Sequence, residues 1–199
     1  AARHFPDLHF IDFGSGFKVP YKEGDAATDI PELAGLLEGA FQEFCQEYGR
    51  ELEMWFEPGK FIVSGSGYLL AQVTVVKENP GVHFVHLDTG LNHLLRPMMY
   101  DAYHEIINIS NPEGTPAQYH VVGYICETDT LGANRNLPEV RSGDILAFKN
   151  AGAYGFSMAS NYNSRLRPAE VLIYQGKAKL IRQRETLEDI TRNQIEIDL

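Results

Sequence analysis

The sequence predicts a chain of the α+β class, mainly β. Two βα units come first, and an antiparallel β-domain of barrel or sandwich type follows. Two observations predict this fold class, and the composition adds that a large core can form. One long helical repeat lies between two short apolar runs before residue 64. After residue 64 the apolar runs are short and separated by Gly and Pro turns. The apolar fraction is 44% of 199 residues, enough for a large core.

The first part of the chain predicts one βαβ unit. Residues 9–13 and 53–56 read as short strands, and residues 30–48 form an amphipathic helix with apolar residues at three- and four-residue steps. Asp29 is a suitable N-cap for this helix, and Gly49 follows its end. Strand, helix and strand in this order form a parallel pair, and active sites of such folds lie at the carboxyl ends of the strands.

The predicted β-domain contains several short strands and one closing helix. The strands cover residues 68–77, 84–87, 119–125, 144–148 and 169–174, and the helix covers residues 185–194. We therefore divide the chain into residues 1–64 for the βα units, 65–184 for the β-domain, and 185–199 for the helix and tail. Two units cannot close a parallel barrel of eight, so we expect either that a partner completes the sheet or that this chain is the carboxyl-terminal part of a larger enzyme.

Charge and cysteine usage exclude several classes of partner. The formal net charge is -10, from 17 basic and 27 acidic residues, which argues against nucleic acid. Only Cys45 and Cys126 are present, so we expect neither a disulfide framework nor a metal cluster, and we expect a cytoplasmic protein. No run of 18 apolar residues and no signal peptide are found, so no membrane partner is expected.

Two polar turns follow the two strands of the βαβ unit. Gly14-Ser15-Gly16 follows the first strand and can hold a phosphate on its backbone N–H groups, although an ordinary tight turn is the simpler interpretation. Glu57-Pro58-Gly59-Lys60 follows the second strand. Both turns lie at carboxyl ends of successive strands, where a site is expected.

Three further clusters lie in the predicted β-domain. The apolar run 121–125 leads into Cys126-Glu127, a thiol beside a carboxylate, although a free cysteine after an apolar run is commonly an inert core residue. Arg96 precedes Tyr100 by four residues and could hold a carboxylate, or form a surface ion pair. Tyr154 lies among small residues, which suits close approach of a ligand or a packed turn.

In this order, the motifs resemble the pyridoxal-phosphate-dependent decarboxylases of basic amino acids, which have the alanine-racemase-like fold type III. The motifs are Gly14-Ser15-Gly16, Glu57-Pro58-Gly59-Lys60, Asp88-Thr89-Gly90, Arg96-Pro97 with Tyr100, Cys126-Glu127, Gly143-Asp144, Gly152-Ala153-Tyr154-Gly155, Asn161-Tyr162-Asn163 and Arg167-Pro168-Ala169-Glu170. The resemblance implies the last βα units of a (β/α)8 cofactor-binding barrel, followed by the antiparallel β-domain.

The resemblance also implies a cofactor site for pyridoxal 5'-phosphate. The backbone of Gly14, Ser15 and Gly16 would hold its phosphate, and the Tyr154 hydroxyl would donate to it. Glu57 would pair with the pyridine nitrogen, so that the ring can accept electrons. Pro58, Gly59 and Lys60 belong to the same cofactor-binding turn.

The substrate side of the site follows from the same resemblance. Arg96 and Tyr100, with Lys60 and Tyr154, would bind the distal carboxylate of an amino-acid substrate. Cys126 would return a proton after CO2 departs, across the interface of a homodimer whose subunits share the active site. Glu127 would take the substrate's distal ammonium.

The Cys-Glu sequence resembles the family members that convert meso-diaminopimelate to L-lysine and CO2. Ornithine and arginine enzymes tend to have Cys-Asp. Carboxynorspermidine, ornithine and arginine stay open as alternative substrates, and so does a non-catalytic homologue that serves as a binding module.

The sequence departs from the family pattern in three ways. Lys60 stands where the family usually has Arg, which loses bidentate geometry. Ser15 stands where a third glycine is usual, so its hydroxyl adds a phosphate contact or strains a positive φ. The family's Schiff-base lysine and a ring-stacking histidine are absent. We therefore expect the chain alone to be inactive without the amino-terminal part of the barrel.

Overall fold

A computed structural model describes residues 4–198. Within them the chain divides into two compact units, one ending at Ser64 and the other beginning at Gly65. No helix among the described residues is long and apolar enough to cross a membrane. Residues 4–198 also contain no group of three or more His, Cys, Asp or Glu placed to hold a metal ion.

The first unit is the predicted βαβ unit. Strand β1 (Phe10–Asp12) pairs in parallel with β2 (Glu53–Trp55), and helix α1 (Ile30–Tyr48) connects them. A short helix, α2 (Gly59–Val63), follows. The bounds of α1 are those predicted from the sequence. Each strand is slightly shorter than predicted, because only three residue pairs stay in register between them.

Local signals at both ends fix helix α1. The Asp29 carboxylate accepts from the Glu32 N–H at 3.0 Å, and Gly49 ends the helix with φ 82°. A left-handed residue at this position costs least with glycine. Apolar side chains of β1, α1 and β2, among them Ile11, Phe41 and Met54, line a groove of about 330 Å³.

Among its described residues, the second unit contains eight strands and two short α-helices. They are β3 (Leu69–Asn79), β4 (Val82–Leu87), α3 (Arg96–Tyr100), β5 (Ile106–Asn108), β6 (Pro116–Val122), β7 (Thr130–Pro138), β8 (Ile145–Phe148), β9 (Glu170–Tyr174), β10 (Lys177–Arg182) and α4 (Leu187–Thr191). Six strands form one sheet in the order β5-β8-β3-β4-β6-β7. Its end strands β5 and β7 also contact each other, so the sheet is nearly closed. Strands β9 and β10 form a separate hairpin.

The expectation of a purely antiparallel domain is wrong at one strand pair. Strands β4 and β6 run in parallel, with Phe84 opposite His120 and His86 opposite Val122. The chain leaves β4, passes through α3 and crosses to β5 at the far edge of the sheet. It then returns as β6 in the same direction as β4, because a long connection of this kind can join parallel strands. The sheet is therefore mixed.

The core of the second unit lies on one face of the six-stranded sheet. Phe148, Leu146, Leu87 and Val121 are each at most 1% exposed and belong to one apolar cluster. Because side chains alternate between the two faces along a strand, the buried residues of β8 and β4 lie on the same face of the sheet. The separate hairpin differs, since Ile173 and Ile181 are exposed on it.

Candidate active site

The turn after β1 contains two left-handed backbone positions, and both are occupied by glycine, which adopts them without steric cost. Gly14 has φ 69° and Gly16 has φ 110°, and nothing lies within 4 Å of a Cβ built on either. The φ angle of Ser15 is not positive, so a serine fits at this position without the strain of a left-handed backbone. The two glycines therefore account for the shape of the turn.

Hydrogen bonds tie this turn to the loop after β2. The Gly14 N–H donates to Asp12 Oδ1 at 2.7 Å, and the Gly14 carbonyl accepts from the Glu57 N–H at 2.6 Å. The Gly14 N–H is thus already used. Among residues 4–198, no acceptor is found for the N–H of Ser15 or Gly16, and these two groups are available to an anion.

The second predicted turn, residues 57–60, runs into helix α2. Pro58 caps the helix, Gly59 begins it, and the Gly59 N–H donates to the Glu57 carbonyl at 2.8 Å. Lys60 lies in the first helical turn, with its Nζ 5.9 Å from the centroid of the Tyr21 ring. The Glu57 side chain is exposed at the carboxyl end of β2.

In the second unit, the structure brings Arg96, Tyr100 and Tyr154 together. The Arg96 guanidinium carbon lies 5.9 Å from the ring centroid of each tyrosine. Both rings are about half exposed. Tyr154 has φ 58°, and the next residue must be Gly155, because a Cβ there would lie 2.3 Å from the Ala151 carbonyl oxygen. The arrangement is a partly buried guanidinium flanked by two phenols.

A buried histidine behind this cation is a feature that sequence reasoning missed. His104 is fully buried and its Nδ1 lies 2.9 Å from the Lys149 carbonyl oxygen. Burial lowers the pKa of His104, and the nearby Arg96 and Arg135 lower it further. Arg135 stacks on Tyr103, 3.7 Å from the ring centroid. His104 is therefore neutral near pH 7 and adds no charge beside Arg96.

Cys126 and Glu127, the thiol–carboxylate pair, are both exposed. The Cys126 Sγ lies 3.5 Å from Glu127 Oε2, and the Tyr162 hydroxyl donates to Glu127 Oε1. The Asn163 Nδ2 lies 3.6 Å from the sulfur. The pKa of Glu127 is lowered, first by the bond from Tyr162. The structure therefore excludes the alternative that Cys126 is a buried core thiol.

The loop that carries the pair is held by one buried carboxylate, Asp129. Its oxygens accept from the Leu91 N–H at 2.7 Å and the Ile125 N–H at 3.0 Å. A Cβ on Gly90 or Gly123 would lie 2.3 Å or 2.0 Å from Asp129 Oδ2, so both positions need glycine. Burial raises the pKa of Asp129.

This carboxylate also explains an error in the predicted strand 119–125. Strand β6 ends at Val122, because the Ile125 N–H donates to Asp129 and the Tyr124 N–H donates to the Thr89 carbonyl. The chain after Val122 is a loop, and Cys126 lies in it, as the sequence predicts. Sequence reasoning gave Asp129 no role, although it is a carboxylate two residues after the pair.

A second buried histidine joins the same loops to the segment around residue 165. His93 Nδ1 lies 2.9 Å from Thr89 Oγ1, and its Nε2 lies 2.9 Å from the Leu166 carbonyl oxygen. The carbonyl can only accept, so Nε2 carries the proton and the Thr89 hydroxyl donates to Nδ1. Burial lowers the pKa of His93. The neutral imidazole of His93 thus joins the loop of residues 89–93 to the segment around residue 165.

These groups can do two kinds of chemistry. A guanidinium such as that of Arg96 can bind a carboxylate, and the exposed carboxylate of Glu127 can bind an ammonium. The Cys126 thiol, fixed by its neighbours, can serve as a proton donor. The free N–H groups of Ser15 and Gly16 can hold a phosphate in the first unit.

Two family models match the chain, and together they cover residues 4–152. The model for the pyridoxal binding domain of pyridoxal-dependent decarboxylases matches residues 4–64. The model for the C-terminal sheet domain of pyridoxal-dependent decarboxylases matches residues 60–152.

Curated relatives point to the same family. The diaminopimelate decarboxylase of Methanothermobacter thermautotrophicus is 44% identical over 191 residues, which are 94% of this chain and 44% of the relative. That of Escherichia coli strain K12 is 42% identical over 197 residues, covering 92% of this chain and 47% of the relative. The chain spans about half the length of the curated relatives it matches.

Solved structures agree in fold. The structure titled diaminopimelate decarboxylase from M. jannaschi superposes with a TM-score of 0.90 at 34% identity, covering 98% of this chain and 45% of that one. The enzyme from Helicobacter pylori, complexed with L-lysine, superposes with a TM-score of 0.82 at 38% identity, covering 94% and 44%. The chain therefore belongs to the family of pyridoxal-dependent decarboxylases.

Proposed function

We propose that this chain works as the carboxyl-terminal half of a pyridoxal-phosphate-dependent decarboxylase that converts meso-diaminopimelate to L-lysine and CO2. The observation that carries the proposal is the thiol–carboxylate pair, with Cys126 Sγ 3.5 Å from Glu127 Oε2 on one exposed loop. The name diaminopimelate decarboxylase, carried by relatives 38–44% identical to this chain, supports it. Their greater length supports the assignment to one half of the enzyme.

The residues of the first unit fit the cofactor. The unused N–H groups of Ser15 and Gly16 suit its phosphate, and the exposed Glu57 carboxylate suits a protonated pyridine nitrogen. Pyridoxal phosphate, when bound, supplies an electron sink for the electrons left as CO2 departs. The Gly14 N–H donates to Asp12 and is not available to the phosphate, so Gly14 contributes less to the proposed phosphate site than the sequence predicts. Pro58, Gly59, Lys60 and Tyr154 stay predicted contacts.

The charges of the second unit favour diaminopimelate over the alternative substrates. Diaminopimelate has an ammonium and a carboxylate at its distal end, and the unit offers one group for each. Arg96, flanked by Tyr100 and Tyr154, suits the carboxylate, and Glu127 suits the ammonium. Ornithine and arginine lack a distal carboxylate and would leave Arg96 without its ligand. A site with a buried polar group that needs a partner strongly rejects substrates that lack the partner group.

Cys126 is the proposed proton donor. After CO2 leaves, the substrate carbon that carried it needs one proton, and the thiol can give it. The exposed position of Cys126 permits this step, and the bonds to Glu127 and Asn163 fix the sulfur. We propose with it a homodimer in which the pair serves the partner's site.

A hybrid enzyme tests this proposal. The chain replaces the matching half of the E. coli strain K12 relative, and CO2 release from meso-diaminopimelate is measured. We expect activity in the hybrid and none in the chain alone. Cys126→Ala should lower kcat at least about a hundredfold, in the range of general acid catalysis. A hybrid that shows bound pyridoxal phosphate in its absorbance spectrum but releases no CO2 would contradict the proposal. So would robust CO2 release by the chain alone.

A further inference from the structure

The turn of residues 161–164 has a strained backbone. Asn163 has φ 54° and ψ 31°, and Ser164 follows with φ 55°, so two successive residues other than glycine are left-handed. Such conformations persist where the surrounding structure fixes them, and they cluster at functional sites. The motif of this turn is part of the family resemblance, which implies no function for it.

The turn places two side chains on the thiol–carboxylate pair. The Tyr162 hydroxyl donates to Glu127 Oε1, while the other carboxylate oxygen, Oε2, faces the Cys126 sulfur at 3.5 Å. The Asn163 amide donates to the same sulfur, with its Nδ2 at 3.6 Å. Each member of the pair thus has one partner from the turn, more than 30 residues away in the chain.

The turn is itself held on both sides by the loop that contains Leu91, Asn92 and His93, and Asp129 accepts from the Leu91 N–H of the same loop. The Ser160 N–H donates to the Asn92 carbonyl at 2.8 Å, just before the turn. Just after it, the Leu166 carbonyl accepts from His93 Nε2 at 2.9 Å. Strain in the turn is therefore balanced by bonds to a neighbouring rigid loop.

We propose that Tyr162 and Asn163 are positioning residues of this site: Tyr162 sets the orientation of the Glu127 carboxylate, and Asn163 sets the position of the Cys126 sulfur. The inference rests on the proposed function and deepens it, because Tyr162 becomes a determinant of substrate specificity. With one Glu127 oxygen bonded to the phenol, the carboxylate presents a fixed face to an ammonium.

Electrostatics of the carboxylate agree with this geometry. The pKa of Glu127 is lowered first by the Tyr162 bond, and Cys126 adds in the same direction. Burial raises the pKa of Asp129, and the nearby charge of Glu127 raises it further. Loss of the phenol hydroxyl should therefore raise the pKa of Glu127, and it should not do so if Tyr162 is only a packing residue.

The first test uses the chain itself and needs no activity. The carboxyl carbons of glutamate are labelled with ¹³C, the Glu127 signal is assigned with Glu127→Gln, and its titration is followed by NMR. Tyr162→Phe should raise the titration midpoint of Glu127. Tyr174→Phe, an exposed tyrosine on β9, is the matched control and should leave it unchanged. An unchanged midpoint in Tyr162→Phe overturns the role of Tyr162.

Alkylation of the thiol tests Asn163. In a Cys45→Ser background, iodoacetamide reacts with Cys126 alone, since the chain has two cysteines. Asn163→Gly keeps the left-handed backbone but removes the N–H donor that favours the reactive thiolate, so alkylation should slow about threefold. Asn134→Gly, at an exposed residue with φ 51°, is the matched control. An equal or faster rate in Asn163→Gly overturns the role of Asn163.

Kinetics of the hybrid enzyme then separate the two roles. Tyr162→Phe should raise KM for diaminopimelate about tenfold with little change in kcat, as expected for one hydrogen bond to a charged group. Asn163→Gly should lower kcat with little change in KM. If the hybrid binds pyridoxal phosphate but is inactive, while the Glu127 midpoint still moves, the proposed function fails and the positioning role stands. If the hybrid is active and neither variant moves its spectroscopic or chemical readout, the positioning role fails alone.

Discussion

The buried carboxylate of Asp129 gives the sharpest prediction about stability. Asp129→Ala leaves two buried N–H groups, of Leu91 and Ile125, without acceptors. Each unsatisfied buried group costs about 2 kcal/mol, so Asp129→Ala should lower the free energy of unfolding by about 4 kcal/mol. Asp129→Asn keeps one acceptor oxygen and turns an NH2 group toward the other donor, so it should cost about 2 kcal/mol.

Urea unfolding measures this loss. With a slope of about 2 kcal/mol per M, a cost of 4 kcal/mol lowers the urea midpoint by about 2 M. Trp55, the only tryptophan, lies in the first unit, so far-UV circular dichroism should be used for the second unit. Asp101→Asn, at an exposed residue, is the matched control and should stay within about 0.5 kcal/mol. Wild-type stability in Asp129→Ala would refute the reasoning.

The pH dependence of this stability has a definite sign. The pKa of Asp129 is raised in the folded state, above the 3.8 of the unfolded chain. Between 3.8 and the raised value the folded chain binds more protons, so stability falls as pH rises through that window. The advantage of the wild type over Asp129→Asn should therefore be largest below pH 3.8 and shrink above it.

Three further predictions concern other parts of the second unit. Arg167 lowers the pKa of Glu185 to about 2, so the ion pair stabilises the fold above the unfolded value of 4.5 and this contribution is lost as pH falls toward 2. Glu185→Gln should cost about 1 kcal/mol at pH 7 and less at pH 3, as measured by urea unfolding; an equal cost at both pH values would argue against it. Phe148→Ala removes a fully buried ring and should cost about 3–5 kcal/mol, whereas a cost under 1 kcal/mol would place Phe148 outside the core. In the hybrid enzyme, Arg96→Lys should raise KM for diaminopimelate about tenfold, because lysine cannot bind a carboxylate bidentately; an unchanged KM would remove Arg96 from the substrate site.

Elements fixed by local signals could be predicted from the sequence. Helix α1 was predicted with its observed bounds, because the residues that end it are next to it in the sequence: Asp29 caps its start and Gly49 ends it. Helix α3 was missed, since its five residues are too few to show a period. Strand β10 was missed because Lys177–Arg182 is exposed throughout and lacks buried alternation.

Features that depend on distant residues could not be predicted. The apolar residues Tyr124 and Ile125 extend the pattern of strand β6, but their N–H groups donate to Thr89 and Asp129 instead. The parallel pairing of β4 with β6 depends on where the intervening chain crosses the sheet. The contacts of Tyr162 join residues 35 apart, so no spacing in the sequence indicates them.

The substrate preference of the hybrid enzyme tests the central claim most directly. The ratio of kcat/KM for meso-diaminopimelate to that for L-ornithine should be at least about 10⁴, because only diaminopimelate satisfies both Arg96 and Glu127. Each turnover should yield one L-lysine and one CO2. Equal kcat/KM values for the two substrates, or a preference for ornithine, would contradict the account.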